Sequence, residues 1–334
     1  MDIIIGKVES INKGDNYCNA SLSLEDKKHF NVKLNMEDDQ LLAIGKVFVF
    51  EVEAFYKEEV KQFKALKITP LEVSDVPKQD KNRLYSLFYD YAPIPLKDIR
   101  LGIESFLNRI ENKILKDVTT LVYEKHEGQY YLHPAATKFH HAYVGGLAYH
   151  TFTMLKLVDA MLSVYDYLDK DLLYAATILH DISKIDEMTG VDGEYTTEGL
   201  LIGHLVMASI EVEKSATILG VEDSEEVLLL KHLIVSHHGQ LNFGSPKKPQ
   251  TGEALLLWYI DSIDSKFTEL KTALESTKAG EFTQSVAVLD KMRFYKSKLK
   301  NNELSLGPRL RDFFYVDIYR KMRLFLVAFK LVYL

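Results

Sequence analysis

All but two of the eleven histidines lie beyond residue 130, the exceptions being His29 and His126. Several of them fall where a helical repeat would turn them inward. His150 stands three residues after Leu147 and four before Met154, so a helix that buries those neighbours also buries the imidazole. One inward histidine is ordinarily a hydrogen-bonded core residue, but here the arrangement recurs. His180 and Asp181 end the apolar pattern Leu172, Ala176, Leu179; His204 lies between Leu200 and Met207; His237 and His238 follow the apolar stretch Leu228 to Val235; Asp261 falls one turn after Leu257. Burying this many ionisable groups is costly unless each has a partner, and metal coordination supplies partners.

Imidazole and carboxylate together suit manganese, iron or zinc, whereas an all-oxygen shell would favour magnesium or calcium. Adjacent His180 and Asp181 diverge by about 100° around a helix, yet a carboxylate has two oxygens and can bridge two ions. His150, His180, Asp181 and Asp261 form the expected first site, and Asp181, His204, His237 and His238 the second. Two divalent ions roughly 3.5 to 4 Å apart would bind a phosphate and stabilise both attacking and departing oxygens, which is phosphoester hydrolysis. A set of structural histidines and a single-metal site remain open alternatives. Lys184, one turn after the His-Asp pair, could contact a non-bridging phosphate oxygen, the plainer account being a solvated helix-end lysine. Asp264, one turn beyond Asp261, could orient a ligand, or serve as a cap or surface ion-pair member.

The elements that must position these groups change character along the chain. The first 70 or so residues hold short β-prone runs broken by Gly, Asp and Asn: IIIGKVESI, NASLSLED, HFNVKL, KVFVFEVEAF and KQFKALKITPLEV. Five such strands fit a small barrel. Its aromatic residues Phe30, Phe48, Phe50, Phe55, Tyr56 and Phe63 could include a platform for bases, although filling the barrel core is the plainer role. Pro77 and the polar run KQDKNR read as a connector. From Ile99 the periodicity is helical, with helices expected around His150, before His180, over Thr197 to Lys214, over Glu225 to Ser236 and over Gly252 to Glu275. The expected architecture is therefore multidomain, a small all-β barrel followed by an all-α domain.

The chain has 334 residues, 47% of them hydrophobic and 27% charged, with no low-complexity bias that would suggest disorder or a fibre. Cys18 is the single cysteine, which rules out an intrachain disulfide scaffold and a thiolate-rich metal site and suits a reducing compartment. A formal net charge of −7 argues against a strongly basic nucleic-acid wrapper. It leaves a nuclease open, because bound metal ions offset a substrate's charge locally. The opening MDIIIGKVES lacks a signal-peptide pattern, so a cytoplasmic setting is expected. Leu324 to Leu334, interrupted by Lys330, is too short to cross a bilayer, and a closing element packed on the body is expected there, with a dimer or membrane-surface contact as the alternative.

His150, HDISK at 180–184, His204, SHHG at 236–239 and Asp261 in YIDSIDSK together resemble the HD-domain metal-dependent phosphohydrolases. More specific are HPAATKFHHAYVGGLAYHTFTM at 133–154, YTTEGLLIGHL at 195–205, GSPKKP at 244–249 and EFTQSVAVLDKMRFYKSKL at 281–299, which look like the YhaM-type bacterial 3′ to 5′ exoribonucleases. The likeness runs from about residue 95 to 299. It implies an OB-like barrel over 1–72, a connector and helical lead-in over 73–132, an HD domain over 133–299 and a divergent extension over 300–334. By resemblance His150, His180, Asp181 and Asp261 are the principal metal ligands, His204, His237 and His238 hold a second position, and Lys184 contacts the phosphate. His140 and His141 would line the substrate entrance or touch the scissile phosphate, and Gly244, Ser245 and Pro246 would form part of its rim.

The function so implied is metal-dependent release of nucleoside 5′-monophosphates from the 3′ end of single-stranded RNA, with short single-stranded DNA as a further substrate. Manganese is the expected ion; iron, cobalt, zinc and magnesium are compatible. A homo-oligomer without stable membrane insertion is expected. Two alternatives compete: a phosphodiesterase or nucleotidase for small cyclic or free nucleotides, and a non-catalytic nucleic-acid-binding regulator whose histidines are structural.

Overall fold

Alternating apolar and polar residues with Gly and Asn at the breaks build five strands, β1 (Asp2–Gly14), β2 (Tyr17–Leu24), β3 (His29–Leu34), β4 (Val47–Lys57) and β5 (Val60–Pro70). In the computed structural model, which describes residues 2–137 and 141–299, they close into a barrel in the order β1-β2-β3-β5-β4. β1 serves two neighbours, pairing with β4 from Asp2 to Lys7 and with β2 from Gly6 to Gly14, and a register shift between Val8 and Ser10 bends it from one to the other. The closing contact is the parallel pairing of β3 with β5 at Lys33 and Lys64. This is an OB-like barrel. Leu22, Val32, Phe48, Phe50 and Val52 fill it, and Cys18 is buried among them. Phe30 and Phe63 pack on that core in partial burial, whereas Tyr56 is 72% exposed.

The polar run expected as a connector folds as a helix, α1 (Lys78–Phe88). Pro77 at its N-cap has no N–H to leave unsatisfied, and Leu84 and Phe88, four apart, bury one narrow stripe against Val47 and Leu71 at the foot of the barrel. The remaining face is charged, which hid the helix from composition alone.

Eight helices follow: α2 (Leu96–Asn108), α3 (Lys113–Tyr130), α4 (Gly146–Leu162), α5 (Lys170–Leu179), α6 (Lys184–Glu187), α7 (Thr197–Leu201), α8 (His204–Leu219) and α9 (Glu225–Ser236). Every residue of α5 from Asp171 to Leu179 is buried, so this apolar helix is the central one, with α2, α3, α4 and α9 packed against it. Asp169 caps its start through the Leu172 N–H at 2.8 Å. Where one helix was expected from Thr197 to Lys214, the structure has α7 and α8 with a break at Ile202 and Gly203. Gly203 takes φ +77°, a conformation open to glycine, and so restarts the chain with His204 as the first residue of α8.

Helix α10 (Gly252–Glu275) runs across the boundary between two compact units, residues 1–269 and residues 270 onward. In the second, Thr283 closes a small loop with Phe294, its N–H donating to the Phe294 carbonyl at 2.8 Å and its hydroxyl accepting from the Phe294 N–H at 3.0 Å. The extension over 300–334 lies outside the described residues.

The barrel meets the helical part through the turn between Met188 and Tyr195. Gly45, at φ +80°, approaches so closely that a Cβ there would meet the Val191 carbonyl oxygen at 2.6 Å. Lys7 Nζ reaches Asp192 Oδ2 at 2.6 Å and the Phe88 carbonyl at 3.1 Å, and the Tyr89 hydroxyl donates to the Gly45 carbonyl at 2.6 Å.

Candidate metal centre

Helix ends deliver most of the site. His180 caps the C-terminus of α5, His237 caps that of α9, and His204 opens α8; His150 comes from the second turn of α4 and Asp261 from the middle of α10. Two helix C-termini therefore face the cluster, and their carbonyl ends favour a nearby cation.

Four imidazoles adopt one tautomer. His180 Nδ1 donates to the Thr177 carbonyl at 2.8 Å and His237 Nδ1 to the Ile234 carbonyl at 2.6 Å. His150 Nδ1 donates to Asp264 Oδ2 at 2.8 Å and His204 Nδ1 to Glu187 Oε1 at 2.9 Å. Carbonyls and ionised carboxylates only accept, so in each ring the proton sits on Nδ1 and the Nε2 lone pair points into the cluster.

Those lone pairs converge on Asp181. Its Oδ2 lies 3.3 Å from His180 Nε2 and 3.7 Å from His150 Nε2, while Oδ1 lies 3.3 Å from His204 Nε2 and 3.6 Å from His237 Nε2. Asp261 Oδ1 is 3.3 Å from His150 Nε2, and the two Nε2 atoms of His150 and His180 are 3.3 Å apart. Ligand atoms of His150, His180 and Asp181 lie within 4.8 Å of one another, as do those of His204, His237 and His238. Of the residues expected in the two sites, His150 and His180 thus face one oxygen of Asp181 and His204 and His237 the other.

Lone pairs facing a carboxylate across 3 to 4 Å repel unless a cation stands between them. Asp181 Oδ1, His204 Nε2 and His237 Nε2 are buried with no hydrogen-bond partner, which is the signature of a cation-binding cluster rather than of a finished polar core. The donor set fits a divalent ion with mixed nitrogen and oxygen preference, and the cluster is a divalent-metal-binding site.

Electrostatics hold the carboxylates in the ligating form and divide the imidazoles. Burial pushes the Asp181, Asp261 and Asp264 carboxyls up, but Lys184 and His180 beside the first, His150 beside the second, and His141 and His150 beside the third outweigh it and hold all three below the usual carboxylate range. Burial holds His237 and His238 below the ordinary imidazole range, His238 at about 4. His150 and His204 run the other way: burial opposes their charge, yet Asp261 and Asp264 raise the first to about 10 and Asp181 and Glu187 raise the second, so the carboxylates around both rings favour positive charge at these positions. Ionised carboxylates and neutral imidazoles are the forms that bind metal.

The remaining expected residues fall as follows. Lys184 Nζ sits 2.8 Å from Asp181 Oδ2 with its side chain largely buried, and it lines a cavity of about 280 Å³ together with Asp181, His204, His238 and Asp261. It is not a solvated helix-end lysine. His141 does not line that cavity. It is buried, with Nε2 donating to Asp264 Oδ2 at 2.8 Å and Nδ1 accepting from the Tyr143 hydroxyl at 2.7 Å, so it stands behind His150. His141 takes φ +56°, and its carbonyl receives the Ala135 N–H, which holds the ring in that inward position. His140 lies outside the described residues. Gly244, Ser245 and Pro246 form a loop after a short helical turn, with Ser245 buried, and do not border that cavity.

Glu187 was not singled out by sequence. It accepts from His204 twice, from the ring and from the backbone N–H at 3.1 Å, and its carboxyl is held low by His204 against the upward pull of burial. Its signal is weak: in KIDEM two acids close a short charged helix and look solvated. Tyr195 and Met188, joined by an antiparallel bridge, form another wall of the cavity.

Residues 147–266 match the family model of the HD domain, and the His-Asp pair with its surrounding ligands defines the class: a metal-binding HD-domain protein. The 3′-5′ exoribonuclease YhaM of Bacillus subtilis is 45% identical over 210 residues, which cover 63% of this chain and 67% of the relative. Proteins of the same name from Bacillus licheniformis and Bacillus pumilus are each 43% identical with the same coverage. The chain belongs to this family of YhaM-type HD-domain proteins.

Proposed function

We propose that the protein is a metal-dependent 3′-5′ exoribonuclease that removes nucleoside 5′-monophosphates from the end of single-stranded RNA. The observation that carries this reading is Asp181 presenting one oxygen to His150 and His180 and the other to His204 and His237, in a chain akin to enzymes named for that activity. His150, His180, Asp181 and Asp261 would hold one ion and His204, His237 and His238, sharing Asp181, a second. Divalent ions there supply a Lewis acid that polarises a phosphoryl oxygen and acidifies water. Manganese is the proposed native ion, supported by the mixed imidazole and carboxylate donor set.

The chain's own groups do the positioning. Lys184 places an ammonium beside Asp181, at the wall of the cavity, where it can hold a non-bridging phosphate oxygen. Glu187 fixes His204, and Asp264 fixes both His150 and His141, so the ligands are set before substrate arrives. Hydrolysis forms a bond from water oxygen to the terminal internucleotide phosphorus and breaks the bond to the preceding 3′ oxygen, which leaves with a proton. The barrel over 1–72 is proposed to capture the strand, supported by Lys33 over the Phe55 ring at 4.7 Å and Lys61 over Phe63 at 5.1 Å.

Among the described residues no helix is long and apolar enough to cross a membrane. A cytoplasmic setting, short single-stranded DNA as a second substrate and self-association belong to the same proposal, the first supported by the single buried Cys18. The deciding test uses 5′-labelled RNA with manganese: a ladder shortening by single nucleotides supports the reading. Turnover confined to mononucleotides or cyclic dinucleotides, or undiminished hydrolysis by a folded Asp181→Ala chain, would overturn it.

A further inference from the structure

A second cavity, a groove of about 520 Å³, shares no lining residue with the cavity at the metal centre. Gly239, Gln240, Asn242, Lys248 and Trp258 line it. Trp258 is the single tryptophan of the chain. Its indole lies against the backbone of Gly239, where a Cβ would come within 2.0 Å of the ring carbons, and Gly239 itself holds φ +75°. Tyr259 stacks beside it with ring centroids 5.0 Å apart and planes 22° from parallel.

Two chain segments tie the groove to the ligands. Gly239 directly follows His238, and Trp258 precedes Asp261 by three residues on α10, a rise of about 4.5 Å. The groove therefore opens beside His238 and Asp261, on the same two chain segments that carry ligands of the centre. The lining suits a nucleotide more than a bare phosphate: an aromatic ring for a base, amides of Gln240 and Asn242 for its polar edge, and the Lys248 ammonium for the next phosphate.

We propose that this groove receives a nucleobase of the substrate strand, against the Trp258 indole, from one of the two nucleotides that flank the scissile phosphate. The assignment rests on the exoribonuclease reading above and names a site that the metal chemistry does not require. It gives the strand a hold that is indifferent to sequence, because every base has a π-face.

The single tryptophan makes the test direct. The full chain with manganese is titrated with a hexaadenylate whose last bridging 3′ oxygen is replaced by methylene, so that it keeps its charge and resists cleavage. Binding is followed by anisotropy of a 5′ fluorescein and the groove by Trp258 emission. The expected result is a saturable emission change that disappears when the base is removed from one of the two 3′-terminal nucleotides and survives base removal further back. Trp258→Leu should weaken binding about 10-fold, while Trp258→Phe, which keeps a ring, should stay within about threefold. Emission that does not move while anisotropy saturates, emission indifferent to the terminal bases, or no binding at all would each overturn the proposal. Failure of the groove and of the exoribonuclease reading are separable: stepwise cleavage of ordinary RNA with unmoved emission sinks only the groove, and a base-dependent emission change without cleavage sinks only the nuclease.

Discussion

Glu187 holds His204 at two points, accepting from its backbone N–H at 3.1 Å and from its ring Nδ1 at 2.9 Å. One carboxylate thereby fixes where α8 begins, which way the imidazole faces and which nitrogen carries the proton. Replacing Glu187 by Ala should weaken metal binding at the His204, His237, His238 position by about 10- to 100-fold, the usual cost of losing a partner of a metal-ligating histidine. Calorimetric titration with manganese checks this; an unchanged isotherm would show that His204 is held without it.

Metal removal should lower stability as well as activity. Asp181 Oδ1, His204 Nε2 and His237 Nε2 are buried without a hydrogen-bond partner, and a bound cation would satisfy them, so an ion that binds the native state stabilises it by mass action. At 100 times the dissociation constant the gain is about 2.7 kcal/mol. The melting temperature should therefore climb with manganese concentration and fall on adding a chelator. A melting curve indifferent to both would contradict the cluster's being a cation site.

Gly146 opens α4 directly beneath the His141 carbonyl, where a Cβ would come within 1.9 Å of that oxygen. The obstacle is backbone, so it cannot swing aside. Gly146→Ala should destabilise the fold by about 1 to 3 kcal/mol and displace the His141, Asp264 and His150 chain of hydrogen bonds. Thermal denaturation together with manganese affinity would register both effects, and a variant matching the parent in each would refute the close fit.

Glu211 on α8 receives hydrogen bonds from Lys125 of α3 and Lys214, the latter at 3.0 Å. Burial raises its carboxyl, but the two ammonium groups outweigh this and hold it below the ordinary glutamate value of 4.5. A depressed native value means that the stabilisation is fully present above the unfolded pKa and is lost as pH falls through the folded one. Glu211→Gln should cost about 0.5 to 1 kcal/mol near neutrality, since both lysines are well exposed, and the difference should vanish in acid below the folded value. Denaturant titrations across that pH range would expose a difference of the opposite trend.

Much of the centre was legible because each ligand adjoins apolar residues at helical spacing. Leu147 and Met154 around His150, and Leu172, Ala176 and Leu179 ahead of His180, announce buried imidazoles, and those residues are buried. What escaped were contacts that cross the chain at long separation. Glu187 meets His204 seventeen positions away, across a break that a single glycine creates, and periodicity cannot foresee a helix restarting after Gly203. His141 shows the converse: its neighbourhood was marked, but a positive φ turned it behind His150 and away from the cavity. In α1 the stripe Leu84 and Phe88 was too narrow to stand out from its charged surroundings.

The turn that Gly45 and Lys7 brace is continuous with Met188 and Tyr195, so the barrel acts as a buttress for one side of the reaction chamber. Trimming the N-terminal strands would withdraw that support along with any hold on the strand. Point changes on the outward barrel face, such as Lys33 or Lys61, leave the brace intact and isolate nucleic-acid capture from chamber shape.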